Sequence, residues 1–267
     1  MFSAKIEQLA KDVRLSAGIK DAIPVNLEAL CEFEEIELMP LLNHTKFHGK
    51  IEFIREVSTF AIYHPDPSTY QWPKRIRFSI AHELGHYHIE EHRQALVEGK
   101  THNSDPGFKS KDAREREADE FAAALLIPKS KMEPKIDSRG YLEFGEILKI
   151  GEDCLVSPYA TTIRYVRMAS EACLVVLAKD GSIVNSFHSD EARAKYFSRI
   201  TCTALPAQSP GNLLCKLNPG DAPVEKRHDA GAWFESNGGT TTLWEHCVAL
   251  GQGYTLSLLA FDSEDDD

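Results

Sequence analysis

One short pattern constrains this chain more than any other, the His-Glu-x-x-His formed by His82, Glu83 and His86. It lies in a stretch of small and apolar residues, Arg75 to Arg93, that is predicted to form one helix. Residues four apart on a helix differ by about 40° around its axis, so both imidazoles leave the same face. Two histidines placed in this way can bind one metal ion, and the intervening glutamate can lie beside a metal-bound water.

Zinc is the ion that this pattern favours. Zinc lowers the pKa of a bound water from 15.7 to roughly 7, which makes a nucleophile available at neutral pH. Glu83 is then predicted to be the general base, which takes the proton as water attacks a carbonyl and returns it to the leaving amine. A five-residue string can also arise by chance in a chain with 11 histidines. A metal site at this pattern therefore requires a third ligand from elsewhere in the chain.

The third ligand is expected on a second helix, predicted from Asp112 to Leu126 and ended by Pro128. Catalytic zinc generally takes three protein ligands and keeps one position open. Glu115 lies on the apolar, inward face of this helix and is the predicted ligand, with a solvated surface charge as the alternative. Glu117 is directed towards solvent. The inward face is defined by Ala118, Ala122, Leu125 and Leu126.

Other residues near the pattern have predicted supporting roles. Asp119 is placed to accept the ring N–H of a ligand histidine. Gly85 is predicted to let another element pack close to the metal-binding helix. Three further histidines are predicted to lie mostly at the surface, with substrate orientation or carbonyl polarisation as the alternative: His88, His92 and His102.

Composition and charge limit the class of protein and its partners. The 267 residues accommodate one large or two modest domains, and 42% hydrophobic with 27% charged residues is typical of a globular fold. The formal net charge of −11 disfavours nucleic acid as the main ligand, because phosphate binding draws on clustered Lys and Arg. The acidic C-terminus is expected to serve solubility, and a basic protein partner is the alternative.

The sequence also predicts a cytoplasmic protein. Residues 1–10 lack the apolar core of a secretory signal, and no apolar run approaches the ~20 residues that span a bilayer. The six cysteines are scattered singly and several lie in apolar stretches. They are predicted to be buried reduced thiols, and disulfides are the alternative.

Hydrophobic periodicity predicts an α+β protein. Two helices are expected in the first forty residues, followed by a small antiparallel sheet between residues 35 and 63. Residues 94–111 are predicted to form a loop. Further helices are expected at 142–150, 157–170 and 190–197, and strands at 173–177, 183–187, 240–244 and 254–261. The C-terminal part is therefore expected to be an α/β domain.

Two segments of the chain together resemble a known family. The segment from Arg77 to His86, followed by Glu115-x-x-Ala118-x-x-Phe121-Ala122-x-x-Leu125-Leu126-x-Pro128, is similar to the ImmA/IrrE metallopeptidases of bacteria and phages. The similarity covers roughly residues 25 to 170. The chain departs from it in having Ile127 before Pro128, where Met-Pro is common, which changes nothing chemical.

The resemblance implies a domain division and an activity. It implies a gluzincin-like zinc metallopeptidase domain over 1–130 and a helix-turn-helix-like segment over 131–170. The remainder, 171–267, is expected to be a sensor or substrate-capture domain with an acidic tail, and it weakly resembles the GAF-like domain of the IrrE branch. The implied activity is site-specific cleavage of a Cro/repressor-type helix-turn-helix regulator, which derepresses stress-response or mobile-element genes. The implied zinc ligands are His82, His86 and Glu115, and Glu83 is the implied base.

Two other functions stay open. A non-proteolytic, metal-bound sensor or antitoxin-like module would sequester its protein partner without cutting it. The intact Glu83 favours the enzyme, because a pure binding module needs no base at that position. Direct DNA binding through residues 142–170 is disfavoured by the overall acidity and by the few basic side chains there, Lys149, Arg164 and Arg167.

Overall fold

The computed structural model describes residues 4–41, 49–68, 73–99, 112–195, 200, 202–217, 219–220, 222–234 and 242–261. His102, most of the predicted loop at 94–111 and the acidic tail lie outside the described residues. Contacts divide the chain into two compact units. The N-terminal unit comprises residues 2–131 and 150–160, and the C-terminal unit comprises residues 132–149 and 161–267.

The N-terminal unit begins with the two predicted helices, α1 (Ala4–Ser16) and α2 (Leu27–Phe33). The side chain of Asn26 caps α2 by accepting a hydrogen bond from the backbone N–H of Ala29 at 3.0 Å. Arg14 of α1 is buried, and its guanidinium donates to the Leu125 carbonyl at 2.6 Å. This bond ties the first helix to the end of the helix that carries Glu115.

A three-stranded sheet follows, with β1 (Ile36–Leu41), β2 (Lys50–Ile54) and β3 (Thr59–Pro65) in the order β1-β3-β2. The pairing of β2 with β3 is antiparallel, but that of β1 with β3 is parallel. The expectation of a purely antiparallel sheet is therefore wrong. The reason is that β3 inserts between its two predecessors, so β2 lies at an edge instead of in the centre.

The helix predicted from Arg75 to Arg93 is in fact two helices, α3 (Pro73–His88) and α4 (Glu90–Val97). They are separated by Ile89, whose backbone is extended at φ −80° and ψ 111°. The prediction of a loop from residue 94 is wrong as far as Val97, because α4 continues to that residue.

The second predicted helix is confirmed as α5 (Ala113–Leu126), capped by the Asp112 side chain, which accepts from the Arg114 N–H at 2.9 Å. A β-carbon built on Gly85 of α3 would lie 3.0 Å from the α-carbon and 3.2 Å from the carbonyl oxygen of Ala118. The prediction that Gly85 permits close packing is confirmed. The approach of α3 and α5 at this point brings their chemistry-bearing side chains together.

Helices α6 (Glu133–Arg139), α7 (Phe144–Asp153) and α8 (Pro158–Met168) come next, and the boundaries between the two units fall within α7 and α8. The predictions of helices near 142–150 and 157–170 are confirmed, whereas α6 was not predicted. Helix α6 ends at Gly140, whose left-handed backbone at φ 86° suits a residue without a side chain.

The C-terminal unit contains a five-stranded sheet in the order β5-β4-β8-β7-β6. Its elements are β4 (Cys173–Lys179), β5 (Ser182–His188), α9 (Asp190–Lys195), α10 (Gly211–Leu214), β6 (Val224–Asp229), β7 (Thr242–Gly251) and β8 (Tyr254–Phe261). All four pairings among these strands are antiparallel. The expected α/β character of this part is therefore wrong, because tight turns at 180–181 and 252–253 join neighbouring strands as hairpins.

One face of this sheet carries its own hydrophobic core. The buried members come from three strands and the segments that cover them: Leu174, Val176, Ala178, Leu205, Ala230, Trp233, Phe234, Leu243 and Leu259. All six cysteines are free, as predicted, and four of them are buried, but Cys202 and Cys215 are only partly buried. Within the described part of the chain, no helix is both long and apolar enough to cross a membrane.

Candidate metal centre

Three side chains from two helices converge at one buried point. His82 and His86 come from α3, and Glu115 comes from the first turn of α5. One ligand atom of each lies within 4.8 Å of the others. The two histidine Nε2 atoms are 3.1 Å apart, and Glu115 oxygens lie 3.5 Å from His82 Nε2 and 3.2 Å from His86 Nε2. The structure thus brings together the three predicted ligands.

The donor set fits a divalent metal ion. Two imidazole nitrogens and one carboxylate oxygen form a ligand set of catalytic zinc sites. Burial opposes a positive charge on His82, yet hydrogen bonding to Asp119 and Glu115 outweighs it and raises the pKa of His82 to about 10. The pocket therefore attracts positive charge where the three donors meet. A cation bound there would be stabilised by the same carboxylates, Asp119 and Glu115, that raise the pKa of His82.

Asp119 supports His82 from the side away from Glu115. Its Oδ1 lies 2.9 Å from His82 Nδ1, and both side chains are buried. A carboxylate can only accept, so His82 Nδ1–H donates to it and the Nε2 lone pair is left for a metal. The prediction that Asp119 accepts a ring N–H is confirmed.

His86 has a different partner. Its Nδ1 lies 3.1 Å from Nδ1 of His92, and Nε2 of His92 lies 3.0 Å from Oε2 of Glu117. His92 is only 4% exposed, so the expectation of a surface histidine is wrong for this residue. Burial lowers the pKa of His92 despite the nearby Glu117. No sequence pattern indicates this contact, because it depends on the break between α3 and α4.

His88 is also packed rather than exposed, which corrects the surface prediction. Its ring stacks on Phe121 with centroids 5.5 Å apart. Burial, helped by the charge of Arg93, lowers the pKa of His88 to about 4, so the ring is neutral near pH 7. His88 thus serves the packing of α3 against α5.

Glu83 is fully buried on α3, between the two histidines in sequence. Gly49, immediately before β2, lies against the Glu83 carboxylate. A β-carbon built on Gly49 would lie 2.8 Å from Oε1 and 3.3 Å from Cγ of Glu83. Sequence reasoning missed Gly49, because nothing local marks it as a neighbour of a residue 34 positions later. The only signal in the sequence is that Gly49, followed by Lys50, precedes an apolar stretch.

Two of the three basic residues considered for DNA binding, Arg164 and Arg167, are engaged in packing, whereas Lys149 is exposed. Arg164 is fully buried. The guanidinium of Arg167 lies 4.7 Å from the centre of the Phe187 ring, as in a cation–π contact. These two side chains are therefore not arranged as a solvent-facing phosphate-binding surface.

Comparison with known proteins connects this geometry to a family. Residues 68–164 match the Peptidase_M78 family, described as the IrrE N-terminal-like domain. This match supports the resemblance to the ImmA/IrrE family. It includes α3, α4 and α5 and therefore the whole candidate metal centre. No curated protein matches the chain.

Among solved structures, the chain is similar to one described as a Mycobacterium tuberculosis transcriptional regulator. The two share 13% sequence identity with a TM-score of 0.63, over 97% of this chain and 77% of the other. At this identity the likeness concerns the fold alone. It extends the similarity beyond the segment matched by the family to nearly the whole chain.

Proposed function

We propose that this chain is a zinc-dependent endopeptidase that cleaves a Cro/repressor-type helix-turn-helix regulator in the cytoplasm. In this proposal His82, His86 and Glu115 hold the zinc and Glu83 is the general base. The observation that carries it is the convergence of these three donors on one buried point beside a buried glutamate. The Peptidase_M78 match over the same helices supports a metallopeptidase.

The residues have distinct tasks in peptide hydrolysis. When bound, zinc supplies the positive charge that polarises a peptide carbonyl and acidifies water. His82 and His86 present their Nε2 lone pairs because their Nδ1 atoms are engaged elsewhere. A carboxylate oxygen of Glu83 accepts a proton from water as the new C–O bond forms. The same proton then passes from Glu83 to the amide nitrogen as the C–N bond breaks.

Burial of Glu83 favours the enzyme over a module that only sequesters its partner. Removing a carboxylate from water costs free energy, and a module that only binds its partner has no use for a base at that position. A general base gains from the same burial. Its electrostatic interactions with the reacting groups are stronger where bulk water is excluded. The fully buried Glu83 side chain is therefore better explained by catalysis.

The substrate proposal rests on two similarities. The matched family is described by an IrrE N-terminal-like domain, and the structurally similar protein is described as a transcriptional regulator. We place peptidase activity in residues 1–130, a helix-turn-helix-like segment in 131–170, and substrate capture or a GAF-like sensor in 171–267. The separate core on the C-terminal sheet supports a distinct task for that part.

The direct test uses the purified full chain with zinc and helix-turn-helix repressors as candidate substrates, beginning with any that a neighbouring gene encodes. Cleavage is followed by mass spectrometry, which also identifies the bond. We expect cleavage by the zinc-loaded protein, none after chelation, and none by Glu83→Gln. Tight complex formation without cleavage, unchanged by Glu83→Gln, would instead establish the sequestering module.

A further inference from the structure

We propose that His92 and Glu117 are positioning residues that fix the tautomer and the orientation of His86. The inference rests on the proposed function in one respect only, that His86 binds a metal ion. It assigns a role to two residues that are outside the ligand set. One of them, Glu117, lies on the same helix as Glu115 but contributes no atom to the ligand cluster.

The tautomers follow from the chemistry of the three groups. A histidine that binds metal through Nε2 carries its proton on Nδ1 and donates it to a neighbour. The neighbour of His86 Nδ1 is His92 Nδ1, at 3.1 Å, which must then be an acceptor without a proton. Neutral His92 therefore carries its proton on Nε2.

The second nitrogen of His92 meets a group that suits that proton. Its Nε2 lies 3.0 Å from Oε2 of Glu117, and a carboxylate can only accept. The Nε2–H of His92 thus donates to Glu117, which selects the tautomer of His92 that accepts from His86. A carboxylate acts on His86 through one neutral imidazole, whereas Asp119 acts on His82 directly.

The break between α3 and α4 makes this arrangement possible. In one continuous helix, residues six apart differ by about 240°, so the His92 side chain would leave a different face from that of His86. The extended Ile89 turns the chain before α4 begins. Helix α4 is then held by Arg93, whose guanidinium lies 4.5 Å from the centre of the Tyr87 ring. The ring of His92 thereby reaches that of His86, with centroids 5.0 Å apart.

The carboxylates that support the two histidine ligands differ in their exposure to solvent. Asp119 is buried with His82, but the Glu117 side chain is 46% exposed. Water screens Glu117, so its effect on His86 is expected to be smaller than that of His92 itself. The inference therefore predicts a graded series, in which the loss of His92 matters more than the loss of Glu117.

The experiment measures zinc affinity of the full chain by competition with a chelator. His92→Leu removes the acceptor and should weaken zinc binding about 10–100-fold, the usual cost of losing an outer partner of a ligand. His92→Asn keeps an acceptor near the position of Nδ1 and should stay within a few-fold of the wild type. Glu120→Gln is the matched control, the same charge change on the same helix, and should leave affinity unchanged.

A double-mutant cycle tests the relay itself. In the wild type, Glu117→Gln should weaken zinc binding a few-fold. In the His92→Asn background the same substitution should have no further effect, because the asparagine amide cannot connect the side chain of residue 117 to His86. Nitrogen NMR of the zinc-loaded chain should show a protonated Nδ1 in His86 and a protonated Nε2 in His92. A purely structural role for His92 would predict neither the coupling nor these tautomers.

Several outcomes would overturn the inference. They are unchanged zinc affinity in His92→Leu, an additive effect of Glu117→Gln in both backgrounds, or a His92 protonated at Nδ1. If His92→Leu does not fold, the cycle with His92→Asn and the NMR measurement still decide. No readout involves cleavage, so a chain that shows the coupling but cuts nothing would refute the peptidase and keep the inference.

Discussion

The backbone of Gly49 lies against the carboxylate of Glu83, so closely that a β-carbon on residue 49 would be 2.8 Å from Glu83 Oε1. Real β-carbons are not found at such a distance, so either residue would have to move. The contact joins the start of β2 to the proposed general base. The position of Glu83 therefore depends on a residue from a different element.

Gly49→Ala should displace Glu83 without touching a metal ligand. We expect zinc affinity to change little and cleavage to fall about fivefold, because a side chain pushed off its rotamer costs on the order of 1 kcal/mol. The control is Gly145→Ala, where a β-carbon meets nothing within 4 Å. Equal cleavage by the two variants would show that Glu83 does not need its present position.

Glu115→Gln should remove one of the three proposed ligands. An amide oxygen is a neutral and weaker donor, so zinc affinity should fall by more than the roughly 10–100-fold typical of outer partners. Chelator competition measures it. The comparison is Glu117→Gln, for which only the few-fold loss transmitted through His92 is expected. A larger loss in Glu117→Gln than in Glu115→Gln would reverse the ligand assignment.

Glu83→Gln should separate metal binding from chemistry. The amide cannot accept a proton from water, so cleavage of the repressor should fall by roughly 10²–10⁴-fold while one zinc per chain remains bound. Zinc content by mass spectrometry and cleavage rate are measured on the same preparation. Retained cleavage with full zinc content would show that another residue is the base.

Zinc binding should release a proton from His82. The hydrogen bonds to Asp119 and Glu115 overcome the burial penalty and raise the pKa of His82 to about 10, so the metal-free ring is protonated at pH 7.5. A ligand nitrogen must give up that proton, so affinity should rise with pH up to about pH 10. Calorimetry in buffers of different ionisation enthalpy counts the protons. A binding enthalpy independent of the buffer would contradict the raised pKa.

Glu245→Gln should stabilise the C-terminal unit in alkaline but not acidic solution. Glu245 is buried 2.9 Å from His228, and the Ser209 and Ser257 hydroxyls both donate to it at 2.7 Å. Burial raises its pKa, so folding holds the proton more tightly than the unfolded chain does. Wild-type stability is therefore lost as pH rises through that pKa. Glutamine keeps an acceptor for both serines and has no such loss.

The measurement for Glu245→Gln is the melting temperature against pH. Its advantage over the wild type should be smallest below the ordinary pKa of a glutamate, about 4.3, where both states of the wild type hold the proton, and should grow as the pH rises above that value. Ser257→Ala is a useful comparison, because it removes a donor to the carboxylate and should lower stability. A pH-independent difference between Glu245→Gln and the wild type would refute the raised pKa.

The sequence by itself determined the parts of this protein that depend on local backbone geometry. The spacing of His82 and His86 places both rings on one helix face, because the helical period is a property of the backbone. The same period separates Glu115 from Glu117 and puts Asp119 within reach of a ligand ring, at the observed 2.9 Å from His82. Turn residues and apolar alternation likewise indicated β4, β5, β7 and β8.

Only the tertiary structure decided the contacts between segments that local periodicity does not relate. The extended Ile89 ends α3 where the pattern continues, and only this break brings His92 to His86. The parallel pairing of β1 with β3 and the position of Gly49 depend on which strand inserts between which. Strand β6 has mostly exposed polar residues, so it has no apolar period and is held by its pairing with β7. These features arise because packing and strand pairing select one arrangement among several that the local pattern permits.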